Sequence, residues 1–177
     1  MSIDSTIIHC TGCDYTHTEN YQPITLKCRF GSSVISYYRS SCWCYECNGI
    51  TYAEHLPDME EIKAEYREYY GIPGPAAHGL KRILRRFDRC YQQGLRELDN
   101  KIAWRKARTA SPHCLKCGTT NLMMLEFRQT SDHTAVAEGF RHSCGGMLAH
   151  DYNHMAGIRF NFAEKEIWVD IEGNILD

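Results

Sequence analysis

A long amphipathic helix is predicted in the middle of the chain by its hydrophobic pattern. Large apolar residues recur there at steps of three and four, which places them on one face of a helix. They are Leu80, Leu84, Phe87, Tyr91, Leu95, Leu98 and Ile102. The pattern predicts a helix over residues 76–109, about 50 Å long at about 1.5 Å per residue. A helix of that length would bridge the segments on either side of it.

A shorter helix is predicted just before the long one. Asp58 can cap its N-terminus, and Glu61, three residues later, can reach back to the backbone of the cap. Its buried face would consist of Ile62, Tyr66, Tyr69 and Tyr70. Residues 71–75 contain two glycines and two prolines and predict a corner, so the two helices should form a pair.

The segments that flank the helices alternate apolar and polar residues, which is typical of half-buried strands. The predicted strands are residues 6–9, 24–30, 34–40, 122–127, 159–162 and 167–171. A turn at residues 31–33 should let the third of these strands pair back on the second. Together with the helices, the strands predict an α+β fold.

Four short motifs with metal-ligand spacing lie in these strand segments. Three are Cys-x2-Cys pairs, and the fourth is His-x-Cys. Pairs on tight turns aim two ligand atoms at one ion, and two pairs complete the tetrahedral site that zinc prefers. The predicted ligands, in order, are Cys10, Cys13, Cys44, Cys47, Cys114, Cys117, His142 and Cys144. We predict two structural zinc ions, one held by the first four ligands and one by the last four.

The fourth ligand of the second site is open to alternatives. A regular second pair would place a cysteine at position 141, where the chain has Arg141, so the neighbouring His142 is predicted to complete the site. The alternatives to His142 are His113, His150 and His154.

Three further cysteines lie outside these motifs. Cys42 is two residues from Cys44 and could replace it as a ligand, but its spacing to Cys47 breaks the pattern. Cys28 and Cys90 lie among apolar residues, where a free cysteine behaves as a small buried hydrophobe.

The motifs resemble those of the zinc-ribbon fold group, over about residues 1–50 and 114–148. The resemblance implies two small antiparallel β modules, each built around a zinc ion. The predicted organisation is an N-terminal module of residues 1–56 with four cysteine ligands, a helical connector of residues 57–111 and a C-terminal module of residues 112–177 with three cysteine ligands and one histidine. The predicted fold is therefore α+β, with two zinc-ribbon-like modules joined by a helical pair.

The composition indicates a folded protein in a reducing compartment. Of the 177 residues, 43% are hydrophobic and 24% are charged, as is usual for globular proteins. The sequence does not open on a basic and apolar leader, and no apolar run is long enough for a membrane span, so we expect a cytoplasmic protein without a membrane partner. In that compartment ten cysteines favour metal binding over disulfides.

The net charge of −2 hides a segregation of charge along the chain. Lys and Arg counted against Asp and Glu give −5 for residues 1–62, +7 for residues 63–112 and −4 for residues 113–177. The basic connector predicts either a surface for an anionic partner or an attraction to the acidic segments folded against it. The candidate partner-binding residues on it are Arg82, Arg85, Arg86 and Arg89.

The predicted function is binding without catalysis. The leading hypothesis is a small adaptor or inhibitor with a protein partner, for instance one that occludes an effector protein. One alternative is a nucleic-acid-binding protein that uses the basic helix, and the apolar stripe would also suit a homodimer through that helix. Another alternative is a metal-dependent hydrolase, in which His150 and His154 share a helix face with Asp151 as the base.

Overall fold

The computed structural model describes residues 5–20, 24–70, 89–131, 134–151 and 165–176. Two helices lie within these ranges, α1 (Met59–Tyr70) and α2 (Arg89–Ala107). The strands are β1 (Ser5–Cys10), β2 (Thr16–Asn20), β3 (Ile24–Phe30), β4 (Ser33–Tyr37), β5 (Arg39–Cys44), β6 (Gly49–Glu54), β7 (Leu122–Met124), β8 (Phe127–Gln129), β9 (Thr134–Ala137), β10 (Leu148–Asp151) and β11 (Lys165–Val169). The predicted α+β class is confirmed; the strand predicted at residues 159–162 lies outside the described residues.

The described strands form three sheets, and each sheet combines strands from both ends of the chain. The five-stranded sheet has the order β2-β1-β10-β9-β8 and is antiparallel throughout. A second sheet has the order β11-β3-β4, with β11 parallel to β3. The third has the order β6-β5-β7 and is antiparallel. Residues 1–56 and 112–177 thus share their sheets, which corrects the prediction of two separate modules.

The predicted hairpin shows why sequence patterns missed this sharing. β3 and β4 pair as expected across a tight turn in which Gly31 has a φ of 60°. The alternation of apolar and polar residues determines which face of a strand is buried, but it does not determine which other strand pairs with it. The other neighbour of β3 is β11, with Leu26 aligned with Ile167, and β1 pairs with β10, with Ile8 opposite His150.

The start of α1 is a capping box, as predicted. Asp58 Oδ1 accepts hydrogen bonds from the backbone N–H groups of Glu60 and Glu61, each at 2.8 Å. The Glu61 carboxylate in turn accepts from the Asp58 backbone N–H at 2.6 Å. Ile62 is fully buried and Tyr66 is half-buried, as expected for two of the residues on the inner face of this helix.

The described part of the predicted long helix is α2, which ends two residues before the predicted end at 109. Residues 71–88 lie outside the described residues, and with them the predicted corner and the first part of the apolar stripe, which comprises Leu80, Leu84 and Phe87. No helix within the described ranges combines the length and the apolar character that crossing a membrane requires.

The buried face of α2 differs from the predicted stripe. Its buried residues are Gly94, Lys101 and Trp104, and the described stripe residues are only half-buried, namely Tyr91, Leu95, Leu98 and Ile102. Trp104 sets this orientation, because its indole is fully buried with its ring centroid 4.8 Å from that of Tyr37. The first buried residue along α2 is Gly94, one helical turn after Cys90. Cys90 itself is exposed, which corrects the expectation that it is buried.

Two hydrophobic clusters fill the interior of the described structure. The first includes Ile8, Trp43 and Leu148 and so joins strands of the five-stranded sheet to β5. The second includes Tyr37 and Trp104 and lies between α2 and the β11-β3-β4 sheet. Each cluster draws side chains from both ends of the chain, as the sheets do.

A buried ion pair joins the end of α2 to the β structure. The side chains of Glu54 and Arg108 are both fully buried, and their charged atoms are 2.6 Å apart. The Glu54 carboxylate also accepts from the Tyr37 hydroxyl at 2.6 Å and from the His113 backbone N–H at 3.0 Å, while Arg108 donates to the Ile171 carbonyl at 3.0 Å. Burial, and then Glu54, raises the pKa of Tyr37, so its hydroxyl keeps the proton that it donates.

Two ion pairs explain the role of two basic residues in the connector. Arg108 and Lys101 are both buried, and Lys101 lies 2.6 Å from the Glu65 carboxylate of α1. Gly173 packs directly on the Arg108 and Glu54 side chains, in a backbone conformation with a φ of 90° that favours glycine. At least these two basic residues therefore stabilise the fold itself.

Replacing Arg108 with methionine should lower the free energy of unfolding by about 3 to 5 kcal/mol, because it leaves the Glu54 carboxylate buried without its charged partner. Urea unfolding of metal-loaded protein measures this change. The matched control is Arg128→Met, which removes a 2.9 Å pair with Glu138 at the surface and should change stability by less than about 1 kcal/mol. Equal effects of the two substitutions would show that the buried network is not structural.

Candidate metal centres

The eight predicted ligands come together in two groups, but in a different combination from the predicted one. The first group, here called the mixed centre, contains Cys10, Cys13, His142 and Cys144. The second, here called the all-cysteine centre, contains Cys44, Cys47, Cys114 and Cys117. Each group takes one pair from the N-terminal segment and one from the C-terminal segment. The prediction that each segment supplies all four ligands of its own site is therefore wrong.

The sheets explain this combination. Cys10 ends β1 and Cys44 ends β5, and these strands belong to different sheets, so each N-terminal pair lies beside a different C-terminal strand. Each pair meets the C-terminal pair brought by its neighbouring strand. β1 aligns Cys10 with Leu148 of β10, and β5 aligns Cys44 with Leu122 of β7.

The sulfur positions of the all-cysteine centre fit a tetrahedral metal site. The Sγ atoms of Cys44 and Cys117 are 3.5 Å apart, and those of Cys47 and Cys114 are 3.9 Å apart. Two thiolates bound to one zinc ion at about 2.3 Å each lie about 3.8 Å from each other. A disulfide needs about 2.05 Å, so the four thiols are arranged to share an ion.

The mixed centre has the same spacing with one imidazole. The Sγ atoms of Cys10 and Cys144 are 3.4 Å apart. His142 Nδ1 lies 3.5 Å from the Cys13 sulfur and 3.3 Å from the Cys144 sulfur, so this ring nitrogen faces the three sulfurs. The four ligand atoms all lie within 4.8 Å of one another.

Aromatic rings connect the two centres. The ring centroid of His142 is 5.1 Å from that of Tyr15 and 5.3 Å from that of Trp43. Trp43 directly precedes Cys44 in β5 and is only 5% exposed. The indole therefore packs against a ligand of the mixed centre while its backbone positions a ligand of the all-cysteine centre.

Two glycines allow the turns of the mixed centre to approach each other. The backbone N–H groups of Gly12 and Gly146 donate to the sulfurs of Cys10 and Cys144 respectively, each at 3.4 Å. A Cβ atom at Gly146 would lie 2.6 Å from the Cys10 sulfur, far inside van der Waals contact. This close contact explains the glycine at position 146, and a φ of 87° explains the glycine at position 145.

The residue after the second cysteine of each pair in the all-cysteine centre has a left-handed backbone conformation. Asn48, after Cys47, has a φ of 50°, and Gly118, after Cys117, has a φ of 74°. The left-handed conformation favours asparagine and glycine. The Cys47 backbone N–H donates a hydrogen bond to the Cys44 sulfur at 3.4 Å, which closes the turn around the ligand atoms.

The surroundings of two thiols favour the deprotonated form that binds metal. A hydrogen bond from His142 lowers the pKa of Cys144 to about 6. Burial opposes ionisation of Cys114, but backbone N–H groups of Lys116 and Cys117 outweigh it and lower the pKa of Cys114 to about 7. One thiol in each centre thus has a lowered pKa, whereas burial raises the pKa of Cys44 and raises that of Cys47 to about 12.

The alternative ligands lie elsewhere. The ring of His113 faces the Glu54 carboxylate at 3.4 Å, and the ring of His150 packs edge-on against Phe127 with centroids 5.0 Å apart. Cys42 is buried next to the all-cysteine centre but is not one of its four ligands, and burial raises its pKa to about 12. Cys28 is fully buried, as expected for a small hydrophobe.

Two other sets of predicted functional residues are only partly described. His150 and Asp151 end β10, whereas the hydrolase alternative needs them on a helix, and His154 lies outside the described residues. Arg89 is exposed at the first residue of α2. The other candidate partner-binding residues, Arg82, Arg85 and Arg86, lie outside the described residues.

Similarity to known proteins adds no functional assignment. No family model, no curated protein and no solved structure matches this chain. The resemblance to zinc ribbons is thus one of ligand motifs, and the two centres are the main basis for inferring function.

Replacing Cys144 with serine should expose Cys10 and Cys13 to alkylation, because the three remaining ligands hold an ion less tightly. We expect iodoacetamide to modify both cysteines at least about tenfold faster than in the parent protein, as read by mass spectrometry of metal-loaded samples. The cysteines of the all-cysteine centre should stay protected. Faster modification of Cys114 and Cys117 instead would support a site formed within the C-terminal segment.

The matched control for this experiment is Cys90→Ser. Cys90 is exposed and belongs to neither centre, so its replacement should leave the alkylation of the seven cysteine ligands unchanged. A general rise in alkylation in this control would mean that the reaction reports unfolding and not loss of one ligand.

Proposed function

We propose that this chain is a non-catalytic binding protein whose fold is fixed by two structural zinc ions. The supporting observation is that each centre offers four protein ligand atoms, all within 4.8 Å of one another. Structural zinc sites have four protein ligands, whereas catalytic sites keep one position for water or substrate. Thiolate with imidazole is also a donor set that suits zinc, while magnesium and calcium prefer oxygen.

In this proposal each ion joins the two ends of the chain. Cys10, Cys13, Cys44 and Cys47 would hold the ions from the N-terminal side, and the other four ligands from the C-terminal side. Zinc bound by small domains contributes folding free energy of about 10 kcal/mol or more. The ions would supply stability and no reaction step. Thiolate ligands also need reducing conditions, which supports a cytoplasmic location.

The partner that we propose is another protein. Large apolar side chains are exposed at several places on the described surface, among them Tyr38 at 64% and Val34 at 51%. Clusters of exposed apolar side chains are typical of protein interaction sites. Tyr38 directly follows β4 and Val34 lies within it, so the two belong to one region of the surface.

A nucleic-acid partner is the second candidate. On the β11-β3-β4 sheet, Arg29 lies over the Trp168 ring at 5.3 Å from its centroid, and Lys27 at 5.9 Å. Basic and aromatic side chains on a sheet are used to bind single strands. Lys27 is paired with Glu166, however, and the chain has a net charge of −2, so this candidate ranks below a protein partner. Submicromolar RNA binding that falls steeply with salt would reverse the order.

Protein purified under reducing conditions should contain two zinc ions per chain, one for each group of ligands. Elemental analysis measures this directly. A strong chelator should remove both ions and greatly reduce the β-sheet circular dichroism, because the five-stranded sheet and the β6-β5-β7 sheet each contain a ligand, Cys10 and Cys44 respectively. Protein that lacks zinc yet keeps its sheet signal would refute a structural role for the metal.

Cleavage of the connector tests the joining of the two ends. With a protease site inserted between residues 73 and 74, the two fragments should elute together while zinc is bound and separate after chelation. The double variant Cys117→Ser, Cys144→Ser is the matched control, since it weakens both centres, and its fragments should separate at lower chelator concentration. Fragments that separate while each retains one zinc ion would support independent modules instead.

A further inference from the structure

Tyr15 connects the mixed centre to the all-cysteine centre. It lies two residues after Cys13 in the chain, and its hydroxyl oxygen accepts a hydrogen bond from the Ile50 backbone N–H at 3.1 Å. Ile50 belongs to β6 and lies three residues after Cys47. This hydrogen bond therefore joins the segment that follows a ligand pair of one centre to the segment that follows a ligand pair of the other.

Trp43 makes the reverse connection, from the all-cysteine centre to the mixed centre. It directly precedes the ligand Cys44, and its ring centroid lies 5.3 Å from that of the ligand His142. The same indole lies 5.0 Å from the ring of Phe140 and 5.5 Å from the ring of Tyr15, measured between centroids. Each centre thus has an aromatic side chain close to its ligands that contacts a segment of the other centre.

These contacts leave little free space between the two centres. A Cβ atom at Gly49 would lie 3.3 Å from the Tyr15 hydroxyl, so the glycine lets β6 approach the ring. Trp43 and Ile50 are only 5% and 8% exposed. They belong to the same hydrophobic cluster as the ligand Cys10, and Tyr15 packs against that cluster. Because closely packed side chains transmit strain, a change in the turn of one centre reaches the other centre.

Such contacts couple two binding events when both require the same segment to be ordered. Fixing the backbone of one residue costs about 1 to 2 kcal/mol in conformational entropy. A filled centre holds the turns that carry its ligands, and the packed aromatic side chain extends this order to the neighbouring centre. The entropic cost is then smaller for the second ion, since the segment that it requires is already ordered.

We propose that the two centres bind zinc with positive coupling and that Tyr15 carries part of the coupling through its hydrogen bond to Ile50. An ion in either centre would raise the affinity of the other, and the two effects are equal by thermodynamic linkage. Coupling of this kind typically changes affinity by about 5- to 150-fold. This inference rests on the proposed binding of two zinc ions. It adds that the chain takes up both ions over a narrow range of free zinc, with fewer singly loaded chains than independent centres would give.

Counting the ions on single chains tests the coupling without a substitution. The full chain is equilibrated in zinc buffers set by a chelator, and native mass spectrometry gives the fractions with no, one and two ions. A short iodoacetamide pulse gives the occupancy of each centre, because Cys13 of the mixed centre and Cys117 of the all-cysteine centre are both exposed. Positive coupling requires the fraction with two ions to exceed the product of the two occupancies. Equality with that product would overturn the proposal.

Emptying one centre by substitution measures the size of the coupling. Cys47→Ser with Cys117→Ser removes two ligands of the all-cysteine centre, and Cys13→Ser with Cys144→Ser removes two of the mixed centre. Only the centre that fills at the higher zinc concentration senses the other one already filled. The free zinc at which this centre is half filled should therefore rise by at least about fivefold when the other centre is emptied. An unchanged concentration would refute the coupling.

Tyr15→Phe tests the residue that carries the coupling. The variant keeps the ring and removes the hydroxyl that accepts from Ile50. With both centres intact, it should raise the half-filling concentration of the second centre by about two- to tenfold, the effect of one hydrogen bond. With the other centre emptied, it should change that concentration by less than about twofold, because the hydrogen bond then reaches a segment that is not ordered. Equal effects in both backgrounds would show a merely structural hydroxyl and would overturn the role of Tyr15.

The matched control is Tyr37→Phe, which also removes one hydroxyl. This hydroxyl donates to Glu54 at 2.6 Å, and Tyr37 belongs to the hydrophobic cluster that contains none of the eight ligands. The variant should weaken zinc binding equally in the intact and the emptied proteins, since it lowers the stability of the fold and leaves the coupling unchanged. A coupling reduced as much by Tyr37→Phe as by Tyr15→Phe would show that the centres communicate only through global folding.

Zinc analysis of the parent protein separates this inference from the proposed function. Two ions per chain without coupling would refute the inference alone. Parent protein without zinc would refute the proposed structural sites themselves.

Discussion

The convergence of ligand pairs from opposite ends of the chain into two groups, each able to hold a metal ion, is the constraint on which the other features depend. Cys10 and Cys13 can approach His142 and Cys144 only if β1 lies beside β10, and Cys44 can approach Cys117 only if β5 lies beside β7. Strand order and ligand grouping therefore require each other. In a zinc-bound protein the binding free energy, about 10 kcal/mol or more per site, is comparable to the whole net stability of an ordinary domain.

The sheet without a metal centre is held by different means. Neither group of ligands lies in the β11-β3-β4 sheet, although Cys28 is there. Its interior face packs on Trp104 of α2, and the Glu54 and Arg108 pair connects the end of that helix to the segment after β11. A buried pair tolerates little displacement, because either charge left alone in the interior is strongly destabilising. The pair therefore specifies where α2 ends.

Local features of this protein could be predicted from sequence, and pairings between distant segments could not. The capping box of Asp58 and Glu61 and the hairpin of β3 and β4 depend on neighbouring residues only. The eight ligands are recognisable because Cys-x2-Cys and His-x-Cys are local motifs, but nothing in their spacing says which pairs meet. The orientation of α2 was also missed, since a stripe of Leu95, Leu98 and Ile102 outweighed the single buried indole of Trp104. Arg108 is a basic residue like its exposed neighbours on the helix, so the sequence alone did not indicate that it is buried.

The grouping of the ligands has a consequence for synthesis on the ribosome. Translation at about 5 to 20 residues per second separates the appearance of Cys47 from that of Cys144 by roughly 5 to 20 seconds. During that interval the nascent chain already carries four thiols, those of Cys10, Cys13, Cys44 and Cys47. The C-terminal ligands with which these thiols share a group in the finished fold have not all been synthesised. A zinc ion captured by these four would form the site that spacing alone suggests. Completing the fold would then require exchange of that ion between ligands, and the supply of free zinc would govern how often a nascent chain takes this route.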